Sequence, residues 1–292
     1  MRTGSIPLDG LDGGLDLATT IESGQTYLWT RDDGETYATA PDPDAWYSTV
    51  VDGDVVRARR RDDAIEWEST TDADPLLHEL LRLDDDLPAI RDAAADDPLV
   101  ADAYERHAGM RIVDDPFFGC LVSFICSAQM RVERIFEMQA SLREAYGESV
   151  TADGRTYRAT PTPDALAAAT EADLRELGLG YRAPYVKRSA ELVASGDLTE
   201  ADVRRDGLEA AREALKGFVG AGDKVADCVA LFSLGHLDAV PLDTWIQSAI
   251  EEHYPDCARD SYAETSRAIR ERFGPNAGYT QTYVFHHLRT GA

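Results

Sequence analysis

Lys224 and Asp243 are the two residues whose types and settings best suit them to do chemistry together. Lys224 lies in Phe218-Val-Gly-Ala-Gly-Asp-Lys-Val-Ala-Asp-Cys228, where Gly220 and Gly222 join a helical stretch around Leu208 to Leu215 to a second one. That spacing predicts a helix-hairpin-helix: glycines permit close backbone approach, and the free amides of the second helix's first turn suit an anion such as a DNA phosphate. On the glycines alone, an ordinary tight interhelical turn explains the segment as well. Lys224 adds a second signal. It falls in the first turn of a helix, where the macrodipole disfavours a cation. The same field, with partial burial, favours the neutral amine that a Schiff-base lysine requires. The chain has only three lysines, Lys187, Lys216 and Lys224, beside 26 arginines, so a lysine kept here points to chemistry arginine cannot do; an exposed accidental lysine is the alternative.

Asp243 stands in Val240-Pro-Leu-Asp-Thr-Trp-Ile-Gln-Ser-Ala-Ile250, directly before an apolar-periodic run, which is an N-cap position. Capping is sufficient to explain it. A cap carboxylate held anionic by the amides it accepts can also stabilise developing positive charge or move protons, and both readings can hold together. A helix of about ten residues after Lys224, followed by a short return loop, would bring the two helix starts to one cleft.

The elements that must position this pair fall in two regimes. Up to about residue 70 the chain is strand-like, with Asp33-Gly34 and Asp52-Gly53 as hairpin turns between Thr26–Trp29, Glu35–Thr39, Trp46–Val50, Val55–Ala58 and Ile65–Trp67. From Pro75 onward apolar residues recur at three and four, as in Val132, Ile135, Phe136 and Val225, Cys228, Val229, Phe232, which predicts a mainly α remainder. The acidic stretches Asp84–Asp86 and Asp92–Asp97 read as solvated faces. Four scattered cysteines without a C-x-x-C pair indicate neither a zinc site nor a disulfide framework. No apolar run is long enough for a signal peptide or a membrane span, which predicts a cytoplasmic protein.

Other segments join the hairpin and the Val-Pro-Leu-Asp243 stretch in collinear order: Ser23-Gly-Gln-Thr-Tyr-Leu-Trp29, Asp115-Pro-Phe-Phe-Gly-Cys-Leu-Val-Ser-Phe-Ile-Cys-Ser127, Leu177-Gly-Leu-Gly-Tyr-Arg182 and Gly274-Pro-Asn-Ala-Gly-Tyr-Thr-Gln-Thr-Tyr-Val-Phe285. Together they resemble the helix-hairpin-helix DNA glycosylase superfamily, specifically its 8-oxoguanine DNA glycosylase branch with AP lyase activity. The resemblance implies an α+β fold. Residues 1–115 would form an N-terminal domain with a TBP-like antiparallel β-sheet plus the first helices, and residues 116–292 the mainly α catalytic domain. It also implies a base flipped out of duplex DNA, with Lys224 attacking the deoxyribose C1′ and Asp243 stabilising base departure. The Gly24 carbonyl would accept the N7 hydrogen of an oxidised guanine. Gln281 would read the Watson–Crick edge, and Phe285 and Cys228 would sandwich the ring. Tyr181 would be the wedge, Arg182 and Arg134 the readers of the orphaned cytosine, and Gly220 and Gly222 the phosphate contacts. Taken one at a time, Gly24 fits a strand bend, Cys228 and Phe285 fit core stripes, and Tyr181-Arg182 fits an ordinary surface pair. The branch needs no cofactor, although hairpin carbonyls could hold a monovalent cation. Duplex DNA containing oxidised guanine is the implied partner, with the protein acting as a monomer. Two departures stand out: Gln129-Met130-Arg131 replaces an asparagine triplet of the animal enzymes, and Trp245 replaces a phosphate-binding histidine, which loosens the expected opposite-base specificity.

The formal charge of −25 would ordinarily exclude nucleic acid as a partner. An Asp/Glu-rich, lysine-poor chain resembles the protein style of salt-in halophilic archaea, however, and at molar salt the Debye length falls to about 3 Å, which screens that repulsion. Three alternatives remain on the residues: a monofunctional alkylpurine glycosylase, which does without a catalytic lysine; a non-catalytic DNA-binding module using only the hairpin amides; and an acidic protein-interaction domain, for which no apolar helix or repeat speaks. An iron–sulfur relative would need four clustered cysteines, and only Cys257 lies beyond Cys228.

Overall fold

Five N-terminal strands form one antiparallel sheet in the order β1–β5–β4–β3–β2 in the computed structural model, which describes residues 1–94 and 96–291: β1 is Arg2–Pro7, β2 Thr30–Arg31, β3 Tyr47–Val51, β4 Asp54–Arg61 and β5 Ala64–Ser69. Asp52 and Gly53 both take positive φ between β3 and β4, the geometry of a type I′ hairpin turn. The β4–β5 turn is carried by Asp62, also at positive φ. The other expected hairpin does not form. Glu35–Thr39 is a turn because the buried Arg31 guanidinium draws its carbonyls inward, donating to Glu35 O at 2.8 Å and Thr39 O at 3.0 Å, so they cannot join a ladder. Thr26–Trp29 is likewise irregular, and strand pairing begins only at Thr30. The edge strand β1 was not expected, since Ile6 is the single residue it buries.

One face of the sheet packs on the helices Leu17–Glu22 and Asp74–Leu80, with Trp29, Tyr47, Ile65 and Trp67 meeting Leu17, Ile21 and Leu77. A second core, built mainly of helices between Leu87 and Val284, also takes in Tyr27 from the N-terminal region. At its centre, helix Phe117–Cys126 is buried nearly all round, as a helix enclosed by others must be. It lies against helix Asp223–Ser233, with Phe124 stacked on Phe232 at 5.5 Å between centroids, a contact worth about 0.5–1.5 kcal/mol beyond its area. Helix Ala277–Arg289 packs on Pro98–Arg106 through Tyr283 stacked on Tyr104. A small hairpin of β6 (Ser149–Ala152) and β7 (Arg155–Arg158) is a separate sheet that touches the main one at β3 and β4, with Arg155 paired to Asp32.

Buried polar groups tie the two cores together. Arg111, fully buried, donates to the carbonyls of Asp12, Gly14, Arg82 and Asp85, which engages all three of its nitrogens. Gln25 donates to Thr20 O and Arg111 O and accepts from Val113 N, stitching loop Ser23–Tyr27 to the segment leading into helix Phe117–Cys126. The acidic stretches are more than solvated faces. Asp86 and Asp97 cap helices, and Asp85 pairs with Arg82 and accepts from Tyr279 at 2.6 Å. Among the described residues, no helix is long and apolar enough to cross a membrane.

Candidate active site

Helix Leu208–Leu215, the turn around Gly220, and helix Asp223–Ser233 form the expected hairpin. Gly220 is held at φ +87° with the Tyr185 ring where a Cβ would stand, at 2.9 Å, so only glycine fits this turn. Gly222 caps the second helix with no side chain over it and open space beyond. The turn carbonyls of Leu215, Phe218 and Val219 accept from Phe218 N, Ala221 N and Ser189 Oγ, and the Lys216 ammonium lies 3.3 Å from Asp223. The turn thus closes on the chain's own groups, while each of these carbonyl oxygens keeps a second lone pair.

The second helix of the hairpin opens at a cavity of about 1000 Å³. Lys224 reaches into it, its Nζ donating to Ser127 Oγ at 2.7 Å and lying 5.3 Å from the Phe124 ring centroid. Ser127 in turn donates to Phe124 O at 2.7 Å, so the hydroxyl is oriented to accept from the amine. Asp243 enters the same cavity from the start of helix Thr244–His253, which it caps by accepting from Ile246 N at 2.8 Å. Burial pushes its carboxyl above the ordinary range, against the opposing pull of the Ile246 and Trp245 amides and the Lys224 charge. The cap amides therefore do not set the balance as the sequence suggested; desolvation outweighs them.

Opposite this pair, Gly24 stands at φ +97°, where a Cβ would lie 3.0 Å from Val132 Cγ1 and 3.5 Å from Phe285 Cε1. Gln281 and Phe285, one turn apart on helix Ala277–Arg289, line the same wall. Gln281 is only 5% exposed, and its Oε1 has no hydrogen-bond partner among the described residues. A buried amide oxygen left free costs about 1–3 kcal/mol, which a ligand donor would recover. Cys228, one turn beyond Lys224, is buried, and burial pushes its thiol up to about 12, so it offers a neutral, polarisable surface.

Nine of the twelve sequence-predicted residues line this one cavity: Lys224, Asp243, Gly24, Gln281, Phe285, Cys228, Gly220, Gly222 and Gln129. Of the other three, Arg182 reaches the turn at residues 128–129, Tyr181 lies beside Arg182 in the chain, and Arg134 lies against Gly178. Tyr181 is 53% exposed and packs on Tyr185. Arg182 is not a surface group: it is 3% exposed, donates to Ala128 O and lies 4.3 Å over the Tyr181 ring. Arg134 is half-exposed and pairs with Glu137 at 2.6 Å. Gln129 itself is exposed at φ +55°, a left-handed conformation uncommon outside glycine and one often found at binding sites. Trp245, 53% exposed, stands at the cavity mouth. Ser127 and Tyr262 also line the cavity and carry no local sequence signal of their own.

A family model described as the HhH-GPD superfamily base excision DNA repair protein matches residues 122–275. The chain belongs to this superfamily. A second model, the 8-oxoguanine DNA glycosylase N-terminal domain, matches residues 10–121. A probable N-glycosylase/DNA lyase of Methanothermobacter thermautotrophicus is 33% identical over 62% of this chain, an alignment that spans 64% of that relative. The N-glycosylase/DNA lyase OGG1 of Arabidopsis thaliana is 28% identical over 97% of this chain and 81% of its own length. The Clostridium acetobutylicum 8-oxoguanine glycosylase/lyase, solved with duplex DNA containing cytosine opposite the lesion, superposes with a TM-score of 0.83 at 28% identity, covering 95% of this chain and 92% of that one. In this superfamily chain, the loop that holds Ser23, Gly24, Gln25 and Tyr27 meets the helices at the cavity that holds Lys224 and Asp243.

Proposed function

We propose that this protein is a bifunctional DNA glycosylase and AP lyase that removes 8-oxoguanine from duplex DNA, acting as a cytoplasmic monomer with residues 1–115 and 116–292 as its two domains. The observation that carries the reading is the meeting of a first-turn lysine amine and a buried cap carboxylate in one cavity, opposite a buried amide oxygen without a partner among the described residues. The flipped base occupies that cavity, with unstacking costing a few kcal/mol. Gly24 offers its carbonyl to the N7 hydrogen and Gln281 its amide to the Watson–Crick edge, with Phe285 and Cys228 on the ring faces. Tyr181, Arg182, Arg134 and Gln129 act on the opposite strand, and the Gly220 and Gly222 amides on the backbone phosphates.

In the chemical step Lys224 gives up one ammonium proton and bonds through the freed lone pair to C1′, while the glycosidic C–N bond breaks and that bond's electron pair leaves with the base. The Asp243 carboxylate stabilises the positive charge that develops on the sugar. One proton then passes from the attached nitrogen to O4′ as the C1′–O4′ bond breaks, opening the sugar to an iminium; this acidifies the C2′ proton, whose loss expels the 3′ phosphate by β-elimination. No external cofactor enters.

Borohydride trapping tests this on a duplex bearing one 8-oxoguanine opposite cytosine, in concentrated KCl, with wild type beside Lys224→Gln and Lys224→Arg. A covalent adduct from wild type alone is expected. Alkali-labile sites without an adduct would replace the reading with a monofunctional glycosylase led by Asp243, and neither adduct nor labile sites with retained binding would leave a DNA-binding module.

A further inference from the structure

Val240-Pro-Leu-Asp243 has no regular secondary structure, Pro241 carries no N–H, and yet this segment must hold the Asp243 carboxyl at a fixed height in the cavity. Its anchoring is concentrated on one residue. The Leu242 N–H donates to the Tyr262 hydroxyl at 3.0 Å, and the Leu242 carbonyl accepts from Gln247 Nε2 at 3.0 Å. Leu242 is thus clamped at both ends, one residue before Asp243.

The clamp leads back to the helix of Lys224. Tyr262, the first residue of helix Tyr262–Phe273, donates its hydroxyl hydrogen to Asp227 Oδ2 at 2.8 Å. Asp227 is fully buried, three residues after Lys224 on the same helix. Its carboxylate is gripped by Arg212 of the hairpin's first helix, through Nε at 2.7 Å and Nη2 at 3.1 Å. Nη2 also donates to Ser266 Oγ on the Tyr262 helix. A fully satisfied buried network of this kind enforces one geometry. Removing one hydroxyl from it leaves the Leu242 amide without its acceptor.

We infer that Tyr262 is a positioning residue for Asp243, and that the Arg212–Asp227–Tyr262–Leu242 relay fixes the carboxylate's loop to the helix of the nucleophile. The inference rests on the proposed roles of Lys224 and Asp243 for its kinetic consequence, but not for its structural one. Neither Tyr262 nor Asp227 reacts. The hydroxyl sets where the Asp243 cap sits, and the Arg212–Asp227 pair sets where the hydroxyl sits.

The test is Tyr262→Phe, which keeps the ring and deletes one oxygen, with Asp227→Asn as a second variant that keeps an acceptor for the hydroxyl. Amide exchange at Ile246, whose N–H donates to Asp243 Oδ1, reads the position of the cap without any substrate. We expect at least tenfold faster exchange there in both variants. Single-turnover excision of 8-oxoguanine should fall about tenfold, with the duplex Kd within twofold of wild type. In an Asp243→Asn background Tyr262→Phe should cost less than a further twofold, because the carboxylate through which it acts is gone. Unchanged exchange at Ile246 would overturn the inference, as would the same tenfold loss in the Asp243→Asn background. If wild type excises nothing while exchange at Ile246 still responds, the proposed function fails and the relay stands.

Discussion

Gly24→Ala separates the backbone's role at the cavity from the role of any side chain. At φ +97° a side chain is strained whatever the space, a cost of about 1–3 kcal/mol. The added methyl would also press 3.0 Å from Val132 Cγ1 and 3.5 Å from Phe285 Cε1. Val132 is β-branched, stiff at χ1, and starts helix Val132–Tyr146, so it gives way poorly. For a chain of this size that strain lowers Tm by roughly 2–12 °C at about 2–4 °C per kcal/mol. Relief comes most easily by rotating the Gly24 peptide, which turns its carbonyl away from the cavity. Excision of 8-oxoguanine should therefore fall more than tenfold, a loss above about 1.4 kcal/mol of transition-state stabilisation. Borohydride trapping on a pre-formed abasic site, which offers no base to read, should change less than threefold. Adding Val132→Ala removes the methyl contact but not the positive φ, so Tm should recover in part and excision should not. Single-turnover kinetics on both substrates, with Tm beside them, decide the matter. Wild-type excision at a lowered Tm would refute the assignment of the Gly24 carbonyl to base recognition.

Other perturbations act through the titrating groups and the salt. Because burial raises the Asp243 carboxyl and the chemistry uses its ionised form, excision should fall as pH drops through a point above 3.8; an acid limb at or below 3.8 would remove Asp243 from that role. Asp115 is fully buried with one oxygen held by Thr26 Oγ1, and burial pushes its carboxyl up to about 8. A raised carboxyl contributes stability below its unfolded pKa and loses it progressively as pH rises toward 8, because the unfolded chain has already released the proton. Tm of Asp115→Asn relative to wild type should accordingly climb between pH 5 and 8, and a flat difference would mean the carboxyl ionises normally. Excision should persist above about 1 M KCl, where the Debye length is only a few Å; a steep loss above physiological salt would sink the halophilic reading of the composition.

The helical half of the molecule was legible because its signals are local. Glycine spacing, a cap before an apolar run and a period of 3.6 need no knowledge of distant contacts, and each fell where expected around Lys224 and Asp243. The sheet was legible over β3, β4 and β5, where the expected Trp46–Val50, Val55–Ala58 and Ile65–Trp67 each begin within a residue of the observed strand, with the Asp52-Gly53 turn joining the first two. Glu35–Thr39 has the composition of a strand, but its carbonyls are claimed by Arg31, four to eight residues earlier, and side-chain capture of backbone is invisible to periodicity. Arg182 illustrates the same limit at the site, since its partner Ala128 lies 54 residues away. The Tyr262 relay joins four elements and has no motif at all.

Six of the arginines are buried: Arg31, Arg57, Arg111, Arg143, Arg182 and Arg212. Arg111 and Arg143 donate to main-chain oxygens, and Arg212 grips Asp227, so these cations serve the fold rather than the surface. Against an outer charge dominated by acid, Tyr181 and Trp245 are exposed to 53% and Val219 to 37%, all near the hairpin and cavity mouth. On the proposed reading these groups meet DNA where cations would otherwise be expected. Counterion release supplies much of the affinity of a basic protein and fades as salt rises, with log K falling by about 0.9 per phosphate contacted for each decade of salt. Apolar contacts and hairpin amides lose little to screening, and burial of apolar surface is strengthened by some salts. A glycosylase built this way trades affinity at low salt for independence from it, and its specificity then depends on the cavity, where the Asp243 loop is clamped by buried hydrogen bonds that salt does not reach.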